Sequence, residues 1–225
     1  MPLQVFYGGT FDPVHNGHLA IARAVRDDLD AQVRLLPAAD PPHKQSTHAD
    51  ADDRARMLDL AVEGEPGLTV DRRELSRDGP SYSVDTLREV RAALGPLAPV
   101  AWLIGSDSLV QLHSWQRWRE LFDQAHVLVV ERPGSSVDVD ALAGSAPEVL
   151  AEIQPRWRPA RHLKASPAGG FAVLTLAQMR PESSTQLRAR IAAGASWQEW
   201  LPATVAAFIR RRRLYVPRSD PRSRL

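Results

Sequence analysis

Two glycines, a threonine and two histidines lie close together near the start of the chain, in the segment GGTFDPVHNGH at residues 8–18. Small residues let a backbone approach a ligand closely, and imidazoles add hydrogen-bond donors. An apolar run at residues 3–7 predicts a buried strand before the segment, and residues 17–28 predict a helix after it. Since the N–H groups and dipole of a helix start attract anions, the segment predicts a polyphosphate site.

Two other interpretations of this segment stay open. A histidine pair at i and i+3 also fits a metal site, although the sequence shows no third ligand nearby. An ordinary strand-to-helix turn with solvated histidines is the plainer alternative. The segment contains neither GxxxxGK(S/T) nor GxGxxG, so it is neither a P-loop nor a dinucleotide fingerprint.

A second group of phosphate-binding side chains occurs far along the chain. Ser183, Ser184 and Thr185 stand at the start of a predicted helix over residues 184–193, and Arg188 follows one turn later. Hydroxyls and free N–H groups suit phosphate oxygens, and the guanidinium is a planar fork for them. Taken alone, the pattern also fits a serine N-cap followed by a surface arginine.

Strand-like and helix-like runs alternate along the rest of the sequence. Strands are predicted over residues 3–7, 32–36, 68–71, 100–104, 126–130 and 171–176, and helices over 17–28, 51–63, 83–94, 115–122, 184–193 and 203–212. Ser83 is expected to cap its helix and Gly95 to end it. The alternation predicts an α/β fold with a Rossmann-like, doubly wound parallel sheet and helices on both faces. Ligands of such sheets bind outside the carboxyl ends of the strands, at the switch point.

The length of 225 residues fits one domain, which we place at residues 1–215 with a tail at 216–225. Residues 133–170 are rich in Pro, Ala, Gly and Ser and predict an insertion carrying a short helix near residues 139–153. With 28 Lys and Arg against 27 Asp and Glu, nothing indicates bulk nucleic-acid binding, and the arginine run at 210–213 fits a helix C-terminus. Having no cysteine excludes disulfides, thiolate catalysis and Cys-ligated zinc. No signal peptide or membrane span is evident, and we expect a cytoplasmic protein.

Several motifs together carry a family resemblance. GGTFDPVHNGH resembles the (T/S)xxH/HxGH motif of the nucleotidylyltransferase superfamily, and PESSTQLR at 181–188 resembles its ISSTxxR motif, with Pro-Glu in place of the usual preceding residues. PPHK at 41–44, SYSVDTL at 81–87, IGSDSL at 104–109 and the Trp115 region follow in that order. The set resembles the bacterial nicotinate-mononucleotide adenylyltransferases over nearly the whole chain to residue 215.

The resemblance implies three groups of site residues. Catalytic roles would fall to His15, His18 and Arg188. ATP would contact Gly8, Gly9, Thr10, Phe11, Gly105, Asp107, Ser183, Ser184 and Thr185, with Asp107 near a ribose. The mononucleotide would contact Lys44, Tyr82, Thr86, Trp115 and Arg132. For Trp115 a place in the core, for Lys44 a solvated loop and for Asp107 a helix cap are the structural alternatives.

The activity implied by the resemblance is transfer of the adenylyl group of ATP to nicotinate mononucleotide, a step of NAD biosynthesis that releases pyrophosphate. Mg²⁺ is expected to accompany ATP, with no metal site built from protein ligands alone. Nicotinamide mononucleotide or another phosphorylated acceptor, such as phosphopantetheine, stays an alternative. A regulatory or RNA-binding protein without catalysis is the alternative from another class. The expected partners are ATP and the mononucleotide, without nucleic acid or membrane, and assembly into a homo-oligomer is left open.

Overall fold

A computed structural model describes residues 1–39, 47–77, 79–131, 137–176 and 180–217. Within them, six strands form one parallel sheet in the order β3-β2-β1-β4-β5-β6. The strands are β1 (Leu3–Gly9), β2 (Ala31–Pro37), β3 (Leu68–Val70), β4 (Val100–Gly105), β5 (His126–Glu131) and β6 (Phe171–Thr175). All six predicted strands are confirmed, with small shifts at their ends.

Helices cover both faces of this sheet. In the described ranges they are α1 (Asn16–Leu29), α2 (Ala51–Val62), α3 (Ser83–Leu94), α4 (Ser106–Val110), α5 (Leu121–Gln124), α6 (Val139–Ser145), α7 (Pro147–Ile153), α8 (Ser184–Ala192) and α9 (Ala203–Arg212). The predicted doubly wound α/β fold is therefore confirmed. None of the described helices is long and apolar enough to cross a membrane.

Side chains that alternate along the strands belong to two separate hydrophobic cores, one on each face of the sheet. Val5 of β1 and Leu103 of β4 belong to the core under α1, α2, α8 and α9. Their neighbours Phe6 and Trp102 belong to the core under α3, α5 and α7. Because both faces are buried, the strands read as nearly continuous apolar runs rather than as alternating ones.

Three local expectations were wrong. The predicted helix at 115–122 is instead two short 3₁₀ turns, Leu112–Ser114 and Trp118–Glu120, followed by α5, because Arg117 takes a left-handed conformation between the turns. The N-cap of α3 is Tyr82 rather than Ser83, which is the first helical residue. The expected helix at 139–153 is divided into α6 and α7 at Pro147, whose ring and missing N–H prevent continuation.

The strand order creates a crevice at the carboxyl ends of the two central strands, β1 and β4. From β1 the chain winds outward through β2 and β3, and then returns to place β4 on the other side of β1. The connections that leave β1 and β4 therefore diverge toward opposite sides. The carboxyl ends of these two strands form the switch point at which ligands of such sheets bind.

Candidate active site

A cleft with two lobes lies at this switch point. The first, the α1–α8 lobe, has a volume of about 540 Å³, and the second, the α3 lobe, about 490 Å³. Residues from the ends of β1 and β4 line both lobes, among them Gly8, Gly9, Thr10, Gly105 and Asp107. The two lobes therefore share a floor, and molecules bound in each would meet above it.

The histidine pair is built by the start of α1. His15 is the N-cap residue, and its backbone N–H donates to Nδ1 of His18 at 3.2 Å. The two rings stack with centroids 3.7 Å apart. Gly17 makes this stack possible, since a Cβ there would lie 3.0 Å from the His15 ring. The sequence His-Asn-Gly-His thus places one imidazole directly beneath the other.

The contact between the histidines defines the proton position on His18. Because its Nδ1 accepts a hydrogen bond, the neutral ring carries its proton on Nε2. His18 lines the α1–α8 lobe, whereas His15 is buried and does not. The pair therefore offers one oriented N–H donor to this lobe.

The second motif meets the first across the same lobe. Ser183 caps α8 by accepting from the N–H of Gln186. Ser184 Oγ donates to the carbonyl of Pro13 at 3.0 Å, a residue 171 positions earlier in the chain. Arg188 Nη1 donates to the carbonyl of Asp12 at 2.7 Å.

These contacts tie the start of α8 to the loop that precedes α1. The lobe is lined from this side by Ser184, Thr185 and Arg188, while Ser183 lies just outside it. One guanidinium–carbonyl and one hydroxyl–carbonyl hydrogen bond therefore fix the two sides of the lobe relative to each other. Phe11, predicted beside them, also lines the lobe.

Asp107 lies in the first turn of α4, whose N-cap is Gly105. It is therefore not the helix cap that one alternative expected. Its carboxylate folds back over the strand end, so that a Cβ on Gly105 would lie 2.5 Å from Asp107 Oδ1. The absence of a side chain at residue 105 gives this carboxylate its place between the two lobes.

Aromatic side chains characterise the α3 lobe. Tyr82 and Trp115 line it and are partly buried, while Trp118 lies in the core with Arg119 over its ring. Thr86 is fully buried and does not line the lobe; its hydroxyl donates to Glu74 Oε1 at 2.7 Å.

Glu74 itself lines the α3 lobe, and burial raises the pKa of its carboxyl, opposed by the Thr86 hydrogen bond. No sequence motif includes Glu74. Lys44 and Arg132, predicted for the mononucleotide, lie outside the described residues.

Arg54 belongs to no sequence motif, but it supports the cleft from α2. It is completely buried, and its guanidinium donates to the carbonyls of Thr10, Ala38 and Ala39 at 2.5–2.8 Å. It therefore joins the ends of β1 and β2 beside both lobes. Its position three residues before Met57 places it on the apolar stripe of α2, and that spacing was the available signal.

The described ranges contain no group of three or more His, Cys, Asp or Glu side chains placed to hold a metal ion. The carboxylate of Asp12, which lines the α1–α8 lobe, already accepts from the N–H groups of His48 and Ala49. The side-chain donors that face this lobe belong to α1, α8 and the segment before α2. This arrangement suits a bound polyanion, with hydroxyls, an imidazole and a guanidinium around it.

Comparison with known proteins adds to this geometry. Residues 6–190 match the family model described as cytidylyltransferase-like. A relative from Stenotrophomonas maltophilia, named as a probable nicotinate-nucleotide adenylyltransferase, is 50% identical over 96% of this chain and 97% of its own length. A relative of the same name from Xylella fastidiosa is 43% identical over 95% and 96%.

Solved structures show the same fold at low sequence identity. Plasmodium falciparum nicotinic acid mononucleotide adenylyltransferase complexed with NaAD superposes with a TM-score of 0.71, at 15% identity, over 96% of this chain and 98% of that one. The same enzyme complexed with APC superposes with a TM-score of 0.69 over the same shares.

Proposed function

The chain belongs to the cytidylyltransferase-like family and, within it, to the nicotinate-nucleotide adenylyltransferases, and on that premise we propose that it transfers the adenylyl group of ATP to nicotinate mononucleotide. The products are nicotinate adenine dinucleotide and pyrophosphate, so the enzyme is a nucleotidyltransferase of NAD biosynthesis. One observation carries the proposal most directly. A polyanion-binding lobe and an aromatic lobe share the floor made by Gly8, Gly9 and Thr10.

ATP occupies the α1–α8 lobe in this proposal. Arg188, the hydroxyl of Thr185 and the N–H groups at the start of α8 beside Ser184 contact the phosphates that leave as pyrophosphate. His18 points its Nε2–H at the α-phosphate, where negative charge grows as the bond to pyrophosphate breaks. Asp107, between the lobes, contacts a ribose.

Nicotinate mononucleotide occupies the α3 lobe, with Trp115 and Tyr82 beside the pyridine ring. Its phosphate reaches the shared floor and attacks the α-phosphorus in line. This phosphate is largely ionised at neutral pH, so the reaction needs no general base. The enzyme contributes positioning and stabilisation of charge.

Two predicted contacts of the mononucleotide phosphate belong to connections next to this floor. Lys44 lies in the connection that follows β2, and Arg132 follows β5 directly. These strands flank β1 and β4 on their outer sides. We propose that both cations contact the phosphate of the acceptor.

Mg²⁺ accompanies ATP in this proposal. Magnesium ions at nucleotide sites are commonly held by substrate phosphates and water with few protein ligands. When bound, the ion neutralises charge on the β- and γ-phosphates. The orientation of these phosphates falls to Arg188, Ser184 and Thr185.

A pyrophosphate-release assay tests the proposal. ATP with nicotinate mononucleotide should release pyrophosphate, and ATP with nicotinamide mononucleotide should do so more slowly. No release with either acceptor would refute adenylyl transfer, and faster release with the amide would reassign the acceptor.

A tryptophan pair tests the place of the acceptor. Trp115→Ala should raise the KM for the mononucleotide about tenfold, since stacking on one ring contributes about 1–3 kcal/mol. Trp157→Ala is the matched control, because Trp157 is 40% exposed and contacts Phe171 of β6 rather than the cleft. Equal effects of the two variants would contradict the assignment of the α3 lobe.

A further inference from the structure

We propose that Tyr215 is a positioning residue for the α1–α8 lobe, acting through the carboxylate of Asp12. The inference rests on the proposed function, because it assigns this lobe to ATP. Tyr215 follows α9, distant in sequence from both phosphate-binding motifs. Its hydroxyl donates to Asp12 Oδ1 at 2.8 Å.

The backbone after α9 is shaped to deliver this hydroxyl. Arg213 and Tyr215 have φ values of 51° and 65°, a left-handed conformation that non-glycine residues adopt only when surrounding contacts favour it. These turns bring Leu214 and Tyr215 back against the core of the α1 face, where both are partly buried. The segment is therefore packed in place rather than trailing from the helix.

Asp12 joins Tyr215 to the rest of the lobe. The side chain of Asp12 is almost completely buried, and it also accepts from the N–H of Ala49 at 3.2 Å and the N–H of His48 at 2.9 Å. The backbone carbonyl of Asp12 accepts from Arg188. One residue thus connects the segment after α9, the segment before α2 and the guanidinium that faces ATP.

The chemistry of the contact keeps the tyrosine a donor. Burial, and next the negative charge of Asp12, raise the pKa of Tyr215, while Arg188 and Arg54 act in the opposite direction. The hydroxyl therefore stays protonated at neutral pH and donates to the carboxylate. Without it, Asp12 loses one of its fixed donors, and the carbonyl that orients Arg188 is held less firmly.

The fold offers a control that separates this contact from simple anchoring of α9. Arg212, three residues earlier, pairs with Asp53 of α2 at 3.2 Å and so fastens the same helix to the body of the protein. This pair does not involve Asp12. Arg212→Gln should loosen α9 without changing the lobe, whereas Tyr215→Phe removes only the hydroxyl.

The test compares both variants in steady-state kinetics and urea unfolding. Tyr215→Phe should raise the KM for ATP about 3- to 10-fold, less than the full loss expected for a hydrogen bond to a charged group, because the hydroxyl acts on ATP only through Asp12. Its KM for nicotinate mononucleotide should stay unchanged, and Arg212→Gln should change neither constant. Wild-type KM values in Tyr215→Phe, or equal rises for both substrates, would overturn the proposal, because the contact reaches only the lobe assigned to ATP.

Two further measurements extend the test, and the second does not depend on activity. In an Asp12→Ala background, which removes the acceptor of the hydroxyl, Tyr215→Phe should add no further change to the KM for ATP, and a full additional change would place the hydroxyl's action elsewhere. Calorimetric binding of ATP without acceptor should weaken by the same factor in Tyr215→Phe. If the wild-type protein binds ATP but releases no pyrophosphate, this shift in binding still supports the positioning role while the proposed function fails. Unchanged ATP binding in the variant would overturn the positioning role alone.

Discussion

Substitutions of His18 can separate the roles of its two ring nitrogens. Nδ1 accepts from the backbone N–H of His15 at the start of α1, and Nε2 is the donor directed at the lobe. Asparagine places an amide oxygen close to the Nδ1 position and leaves the Nε2 position empty. Glutamine places an amide N–H close to the Nε2 position and leaves the His15 N–H without its acceptor. The pair His18→Asn and His18→Gln therefore tests one nitrogen at a time.

The structure indicates different magnitudes for the two nitrogens. Losing the acceptor for the His15 N–H should cost about 1 kcal/mol of unfolding free energy, the typical value for one hydrogen bond at a helix start. Losing one donor to a transition-state oxyanion should lower kcat by ~10²-fold or more. His18→Asn should therefore unfold like the wild type and turn over slowly. His18→Gln should be less stable and keep more of its turnover.

Pyrophosphate release measures kcat, and urea unfolding measures stability on the same preparations. His18→Ala is the reference that loses both contacts, so it should show the ~10²-fold loss of kcat and still fold. Near-wild-type turnover of His18→Asn would refute the role of Nε2 as the donor to the α-phosphate. Turnover of His18→Gln as low as that of the alanine variant would refute the tautomer argument.

Three more variants test other contacts of the cleft and the fold. Arg188→Lys keeps the charge but loses the fork that contacts the Asp12 carbonyl and phosphate together, so the KM for ATP should rise about tenfold, and unchanged kinetics would contradict this. Arg54→Met should lower the unfolding free energy by about 3–5 kcal/mol in urea, because three carbonyls beside a completely buried guanidinium lose their donor; a loss below about 1 kcal/mol would speak against this. Burial lowers the pKa of His126, so the unfolded chain takes up a proton first and the unfolding free energy of the wild type should fall as pH drops below about 6.5. His126→Gln should flatten that part of the profile, and an equally steep profile in the variant would assign the effect to other groups.

The strands were predictable from sequence because each is an apolar run bounded by turn residues. The failures have local causes that only the fold reveals. Residues 115–122 carry Trp118, Leu121 and Phe122 at helical spacing, and these side chains are indeed buried. The helix is nevertheless broken at Arg117, whose guanidinium pairs with Asp85 of α3 at 2.5 Å. Arg117 thus combines a tertiary ion pair with a left-handed backbone. The apolar spacing of this segment buries the same side chains in short turns as it would in a helix.

The candidate site also has a part that could be predicted from the sequence and a part that could not. Residues whose roles follow from a contiguous motif, such as His18 and Arg188, could be selected from the sequence because their neighbours define a strand-to-helix junction. Their contacts could not, since the carbonyls that Arg188 and Ser184 reach belong to Asp12 and Pro13 of the other motif. Glu74 is a charged residue in an unremarkable run, and only the structure shows that it supports Thr86 under the α3 lobe.

The residues that support the first motif from distant parts of the chain are the hardest to identify from the sequence. A motif must be compact in sequence because it forms one turn and one helix start, whereas a supporting residue needs only to be near in space. Arg54 reaches the cleft from α2 and Tyr215 from the segment after α9, and each contacts the loop between β1 and α1. These two distant parts of the chain thus converge on Thr10 and Asp12. Small changes in α2 or after α9 should therefore alter the affinity for ATP without touching either phosphate-binding motif.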